Sequence, residues 1–181
     1  LSLKPEICEP TQPVPLHGAL QKGIDFHAVG FAYPGSDRIA LQGFDLHIPA
    51  GKTVAIVGEN GAGKSTLIKL ICRLYDPQSG AVTWDGVDLR QLSLRALRRR
   101  ITVLFQQPAA YHESVADNIR MGDIDAEPTQ QQIEDAARQG GAESVVQKLP
   151  KGYETVLGKW FGHTDLSVGE WQRVALSRAF L

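Results

Sequence analysis

Alternating apolar and polar residues mark two predicted strands near the start of the chain. Residues 24–28 and 44–48 both follow a period of two, which is typical of strands with one buried face. Residues 53–57, Thr-Val-Ala-Ile-Val, show no alternation and are rich in β-branched side chains. This pattern predicts a strand covered on both faces. A further short apolar segment at residues 101–105 predicts another strand.

Helical spacing follows a glycine-rich loop. Apolar residues recur every three or four positions between residues 67 and 75, which predicts an amphipathic helix that stops near Asp76-Pro77. Residues 81–89 then predict a hairpin with Asp85-Gly86 as its tight turn. Residues 114 to about 148 are mostly helical in pattern, with interruptions at a proline and at paired glycines. The mixture of elements predicts an α/β fold.

The composition is that of a globular domain. The 181 residues are 43% hydrophobic and 22% charged, enough for a core without disulfide bonds. A formal net charge of −1 argues against electrostatic capture of nucleic acid, so no nucleic-acid partner is expected. No apolar run approaches the ~20 residues that a membrane-spanning helix needs. Residues 1–22 contain four prolines and no periodicity, and they predict an extended linker.

The glycine-rich loop lies between the predicted strand at 53–57 and the predicted helix, and it fits the pattern G-x-x-x-x-G-K-[ST]. Glycines let backbone N–H groups surround anionic oxygens, and the helix start adds the positive end of its dipole. Lys64 is then expected to reach the β- and γ-phosphates, Ser65 to ligate Mg²⁺ and Thr66 to donate to the α-phosphate. The candidate nucleotide-binding residues are Gly58, Glu59, Asn60, Gly61, Ala62, Gly63, Lys64, Ser65 and Thr66.

The phosphate loop alone does not identify the class of protein, because kinases, GTPases, helicases and transporters all share it. A second motif is more specific. Residues 166–170, Leu-Ser-Val-Gly-Glu, resemble the L-S-G-G-[QE] signature of the ATP-binding cassette (ABC) family. The resemblance implies that Ser167, Gly169 and Glu170 start a helix and form a second anion site, which closes over ATP held by a partner domain. Val168 departs from the family pattern, since a β-branched side chain replaces the first glycine and stiffens the backbone there.

Two more positions match the family. Tyr33 resembles the aromatic residue that stacks on adenine, and Gln106 resembles the glutamine that contacts Mg²⁺ and the attacking water. Residues 149–158 look like the segment that precedes the signature in exporters. The resemblance therefore implies Lys64 and Gln106 as catalytic residues, with Ser65 and Gln106 as the Mg²⁺ ligands.

The resemblance covers residues 24–181 and implies a particular architecture. It is a P-loop NTPase (RecA-like) core with an N-terminal antiparallel β subdomain and an inserted α-helical subdomain at approximately 108–165. Residues 1–22 then look like the linker from a membrane domain, and residues 23–181 like the ATP-binding domain. The family's aspartate, glutamate and switch histidine do not follow before Leu181. We therefore expect a cassette that is incomplete at the C-terminus, before the Walker B motif.

The function implied is that of the ATP-binding domain of an ABC exporter, with ATP and Mg²⁺ as cofactors. Its implied partners are a second nucleotide-binding domain in a head-to-tail dimer and the transmembrane domain of the same transporter. Its implied place is the cytoplasmic side of the cell (inner) membrane. The fragment is expected to bind ATP but to hydrolyse it poorly. The alternatives are a soluble ABC ATPase module that does not transport and a small-molecule kinase.

Overall fold

The computed structural model describes residues 7–158 and 164–181, and it divides into two compact units. The N-terminal unit is Leu1–Ile101 and the C-terminal unit is Thr102–Leu181. Residues 159–163, which include part of the segment just before the signature, lie outside the described residues.

A four-stranded antiparallel sheet is the largest regular element of the N-terminal unit. Its order is β2-β1-β3-β4, so β1 is paired on both edges. The alternating segments at 24–28 and 44–48 lie inside β1 and β2, and the predicted hairpin is formed by β3 and β4. The period-two prediction is thereby confirmed for these strands. Their bounds are β1 (Gly23–Ala32), β2 (Ile39–Pro49), β3 (Ser79–Trp84) and β4 (Val87–Asp88).

One helix covers this sheet and follows the phosphate loop directly. It is α1 (Lys64–Ile71), which buries Leu67 and Leu70 in the same apolar cluster as Phe26 of β1. The helix ends several residues before the predicted stop, because Arg73 adopts a φ of 47° that no α-helix accepts. The unit is completed by a 3₁₀ turn at Leu89–Gln91 and by α2 (Leu94–Arg98).

The predicted strands at 53–57 and 101–105 are not formed. Neither segment pairs with another strand, and Val57 and Phe105 are 89% and 58% exposed. A strand without alternation is stable only when neighbouring strands take its backbone hydrogen bonds and cover both its faces. Within residues 7–158 and 164–181 no segment does so, and no parallel sheet is present. The predictions of a strand covered on both faces at 53–57 and of another strand at 101–105 are therefore wrong for this structure.

Residues 7–22 have no helix or strand ladder, yet they are fastened to the N-terminal unit. Val14 forms an isolated parallel bridge with Leu92. The Glu9 carboxylate accepts a hydrogen bond of 2.8 Å from the Ser93 hydroxyl. This extended segment is therefore held by specific polar contacts along its length.

The C-terminal unit is helical. Its core joins three helices, through Ile119 of α3, Ile133 of α4 and Val174 of α6, each of them fully buried. Among residues 7–158 and 164–181, no helix has the length and the apolar composition that a membrane span requires. The helices are α3 (Val115–Arg120), α4 (Gln130–Gln139), α5 (Glu143–Val146) and α6 (Val168–Ser177), with 3₁₀ turns at Gly152–Glu154 and Arg178–Phe180.

Candidate nucleotide-binding site

The phosphate loop takes a path that requires glycine. Gly61 and Gly63 have φ values of 86° and 89°, in the left-handed region that side chains disfavour. A Cβ added to Gly63 would lie 2.9 Å from the carbonyl oxygen of Ala40 and 3.0 Å from a methyl group of Leu41. The loop therefore turns into α1 close against the backbone of β2, with no room for a side chain at Gly63.

The helix that follows the loop begins without a side-chain cap. Gly63 stands at the N-cap of α1, where it has no side chain to accept a hydrogen bond. The amides of Thr66 and Leu67 bond to the Gly63 carbonyl at 2.9 and 3.2 Å. The two N–H groups before these, of Lys64 and Ser65, have no partner within the helix, and the helix dipole places positive potential there. An anionic oxygen is the ligand that such an end accommodates.

Lys64 bridges the loop. Its ammonium group donates to the carbonyl oxygens of Gly58 at 2.7 Å and Glu59 at 2.6 Å, which places a positive charge at the mouth of the loop. An ammonium group has three donors, so one remains for a ligand. The next residue, Ser65, is exposed in the first turn of α1. The loop thus combines positive charge, free amides and an accessible hydroxyl, a set that suits a phosphate chain.

Tyr33 lies beside this helix. Its hydroxyl is 3.0 Å from the hydroxyl of Thr66, which is buried. Its ring packs edge-on against Phe31 and Tyr75, at centroid distances of 5.0 and 5.4 Å. The Lys69 ammonium lies over the ring, 4.7 Å from the centroid. The structure thus brings together the predicted base-stacking residue and the predicted α-phosphate donor.

The predicted Mg²⁺ ligands belong to different units. Ser65 is in the N-terminal unit and Gln106 is in the C-terminal unit. Across the described ranges, no group of three or more histidine, cysteine or acidic residues is arranged to hold a metal ion. The Ser65 hydroxyl fits Mg²⁺, which prefers oxygen ligands and takes the rest from phosphates and water.

The signature residues form the N-terminus of α6 in the C-terminal unit. Ser167 is the N-cap, and its hydroxyl donates to the Glu170 carboxylate at 2.7 Å while the same carboxylate accepts from the Ser167 amide at 2.9 Å. The Glu170 amide returns a bond of 3.4 Å to the Ser167 hydroxyl. The hydrogen bonds from the Ser167 side chain and backbone lower the pKa of Glu170. The two signature residues therefore satisfy each other, as in a capping box.

The same unit places Gln106 next to the signature helix. The Gln106 carbonyl accepts a hydrogen bond of 3.4 Å from the side chain of Gln172 on α6, while Gln106 itself is exposed. Val168 is 65% exposed, and a Cβ added at Gly169 would contact nothing within 4 Å. The departure at Val168 therefore leaves the helix intact and adds an apolar side chain to its exposed end.

Two residues at the site were not predicted from the sequence. Lys69 lies three positions after Thr66, so it shares a helix face with it, and this spacing could have identified it. Asp165 accepts a hydrogen bond of 3.1 Å from the indole of Trp171 and so fixes the entry to α6. No motif signals Asp165.

The chain is similar to known proteins over most of its length. The family model described as ABC transporter matches residues 41–181. ABC transporter B family member 1 of Arabidopsis thaliana is 45% identical over 159 residues, which are 87% of this chain and 12% of that protein. The ATP-dependent lipid A-core flippase of Escherichia coli strain K12 is 41% identical over 158 residues, 87% of this chain and 27% of the flippase.

A solved structure is also similar. A bacterial Atm1-family ABC exporter with ATP bound superimposes with a TM-score of 0.85 at 32% sequence identity, covering 97% of this chain and 30% of the exporter chain. The chain therefore spans less than a third of each of these three proteins.

Proposed function

Because the chain belongs to the ABC transporter family, we propose that it is the nucleotide-binding domain of an exporter and that it binds Mg-ATP on its phosphate loop. The observation that carries this proposal is the uncapped start of α1, with the Lys64 ammonium held across the loop. An anion there supplies acceptors that the chain itself does not provide. The similarity to a lipid A-core flippase and to an Atm1-family exporter favours the exporter class.

We assign each proposed role to the residue whose position suits it. Backbone amides of the loop as far as Ser65 surround the phosphates, Lys64 neutralises their charge, and Ser65 offers its hydroxyl to Mg²⁺. Tyr33 offers its ring to the adenine, because it lies beside α1 and bonds to Thr66. Mg²⁺, when bound, neutralises phosphate charge and orients the terminal phosphate.

The signature residues are proposed to act on a second copy of the domain. Ser167, Gly169 and Glu170 lie at an exposed helix start, where backbone N–H groups and the dipole attract phosphate. We propose that this end meets the ATP of a partner domain in a head-to-tail dimer. Gln106, whose backbone contacts α6, would report the state of the nucleotide to the membrane domain.

The C-terminal unit also offers a surface for the membrane domain. A cavity of about 430 Å³ is lined by apolar residues, among them the exposed Met121 and Ile124, by acidic residues, among them Glu113 and Glu127, and by Arg120. Exposed apolar groups in a concave surface favour contact with another protein, and a lining of three carboxylates and one guanidinium favours a basic segment. We propose that a cytoplasmic segment of the transmembrane domain docks there, which places this chain on the inner side of the membrane.

We further propose that these 181 residues bind Mg-ATP far better than they hydrolyse it. Phosphoryl transfer to water needs a group that orients the water as well as a cradle for the phosphates. Lys64 and Ser65 belong to the cradle, and Gln106 is the proposed residue that touches the water. One neutral amide does not supply a general base.

Isothermal titration calorimetry of the 181-residue chain with Mg-ATP tests the proposal. Lys64→Ala should abolish measurable binding, because the loop loses its charge at the phosphates. Lys52→Ala is the matched control, since Lys52 is exposed in the same unit and outside the loop. Equal binding by both variants would refute the site. Phosphate release assayed in parallel should stay near background, and sustained Mg²⁺-dependent release that Lys64→Ala abolishes would refute the second proposal.

A further inference from the structure

The Tyr33 ring is held by α1 at two points. Thr66 and Lys69 lie one turn apart on the same face of the helix. The Tyr33 hydroxyl meets Thr66 at 3.0 Å, and the Lys69 ammonium lies over the ring, 4.7 Å from its centroid. A cation within about 6 Å of a ring centroid, over the face, is attracted by the ring quadrupole. One face of the ring is therefore covered by a charge from the same helix that follows the phosphate loop.

We propose that Lys69 is a nucleobase-positioning residue, which covers one face of Tyr33 and leaves the opposite face to the purine of the bound nucleotide. This inference rests on the proposed function, since it concerns the same ATP site. It goes further by naming a second residue that determines how the base is held. Lys69 acts through Tyr33 and does not touch the phosphates.

The other contacts of the ring support this role. Phe31 and Tyr75 meet Tyr33 at interplanar angles of 82° and 90°, so neither ring is stacked parallel on the Tyr33 ring. Among residues 7–158 and 164–181, no carboxylate forms an ion pair with Lys69. The ring is thus the partner that fixes the Lys69 ammonium. The cation in turn fixes the tilt of the ring before the nucleotide arrives.

The size of the effect follows from the exposure of the pair. Lys69 and Tyr33 are both partly exposed, which is the regime of weaker cation–π contacts. Loss of the cation should therefore weaken binding of a nucleotide by about two- to fivefold, because the ring must then be ordered when the base binds. A ligand that has phosphates and no base should be unaffected.

Calorimetry with two ligands separates base from phosphate. The 181-residue chain is titrated with Mg-ATP and with Mg-tripolyphosphate, and Lys69→Met is compared with Lys69→Arg. We expect Lys69→Met to raise the Kd for Mg-ATP about two- to fivefold and to leave that for tripolyphosphate unchanged. Lys69→Arg should restore ATP binding, because a guanidinium also lies over an aromatic face. In a Tyr33→Leu background, Lys69→Met should have no further effect.

Several outcomes would overturn the inference. Equal loss of ATP and tripolyphosphate affinity in Lys69→Met would mean that Lys69 acts on the phosphates. Tighter ATP binding would mean that the cation competes with the base for the ring, and additive losses in the Tyr33→Leu background would mean that the two residues act separately. Lys52→Met, in an exposed lysine of the same unit, controls for net charge.

An NMR measurement keeps this test distinct from that of the proposed function. The Lys69 ε-methylene protons should show an upfield ring-current shift that disappears in Tyr33→Leu, with or without nucleotide. A missing shift would refute the inference even if ATP binds. Absence of ATP binding by the unchanged chain would refute the proposed function, and the inference with it, whatever the shift.

Discussion

Replacement of Ser167 by alanine should destabilise the C-terminal unit measurably. The Ser167 hydroxyl accepts from the Glu170 amide and donates to the Glu170 carboxylate, so both bonds are lost together. Loss of an N-cap serine costs about 0.5–2 kcal/mol. The hydrogen bond from the Glu170 amide is long, at 3.4 Å, which places the expected loss of stability near the middle of that range, at about 1 kcal/mol.

This loss should reach the whole unit because α6 contributes to its core. Trp171 and Val174 of α6 are buried with α3 and α4. Fraying of the first turn therefore loosens the packing that follows it. For a unit of this size, about 1 kcal/mol corresponds to roughly 4–8 °C in Tm. Thermal unfolding followed by near-ultraviolet circular dichroism detects such a shift, since Trp171 reports on the unit.

A comparison variant shows whether the cap is the cause. Thr129 of α4 forms the same kind of capping box with Gln132, so Thr129→Ala should lower Tm by a similar amount. Ser144→Ala removes an exposed hydroxyl with a single bond of 3.4 Å to the Gly141 carbonyl, and it should change Tm little. The reasoning would be refuted if Ser167→Ala had the same Tm as the unchanged chain while Thr129→Ala had a lower one.

Lowering the pH should destabilise the C-terminal unit, as Ser167→Ala does. Hydrogen bonds from Ser167 lower the pKa of Glu170 from its usual 4.5. A carboxylate with a lowered pKa contributes stability that is fully present above the unfolded value and is lost as the pH falls through the folded value. The difference in Tm between the unchanged chain and Glu170→Gln should therefore be present above about pH 5 and shrink below it. A difference that grows with acidity would contradict this sign.

Two further variants test the N-terminal unit. Gly63→Ala should abolish ATP binding in calorimetry, because its Cβ would lie 2.9 Å from the Ala40 carbonyl oxygen at a residue whose φ is 89°. Gly51→Ala, also at positive φ but with nothing within 4 Å of the added Cβ, should bind ATP normally. ATP binding by Gly63→Ala would contradict the steric argument. Asp85→Asn should release residues 21–23, whose amides bond to that carboxylate, and so speed proteolysis there. Equal proteolysis rates for Asp85→Asn and the unchanged chain would refute this prediction. Burial raises the pKa of Asp85, but the hydrogen bonds from these amides outweigh it and leave the pKa below its usual 3.8. The protection from proteolysis should therefore persist until the pH falls below that value.

Local signals in the sequence predicted local structure well. The hairpin of β3 and β4 follows from Asp85-Gly86, whose φ values of 53° and 87° are those of a tight turn with positive φ at both central residues. The start of α6 at Ser167, which the resemblance to the signature implied, is closed by Glu170 three positions later in a capping box. Such features depend on neighbours in sequence, so they can be read without knowing the rest of the fold.

Features that depend on distant partners were predicted poorly. Residues 53–57 have the composition of a buried strand, but composition does not provide the neighbouring strands that such a segment needs. The contact between Lys69 and Tyr33 also depends on segments that are distant in sequence. Helical spacing places Lys69 beside Thr66, yet only the pairing of β1 with β2 and β3 brings the end of β1 to that helix face.

The two proposed phosphate-binding helix ends differ in what the chain already supplies. At α1 the N-cap is a glycine, so its first amides have no side-chain acceptor and an anion completes the helix. At α6 Ser167 and Glu170 satisfy each other, and Glu170 adds a negative charge. A phosphate that uses the Ser167 hydroxyl at α6 must displace an internal hydrogen bond and approach a carboxylate, whereas one at α1 meets no side-chain cap. Binding at α1 should therefore come first, with the signature end engaging only when a partner domain presents a nucleotide already held by its own loop.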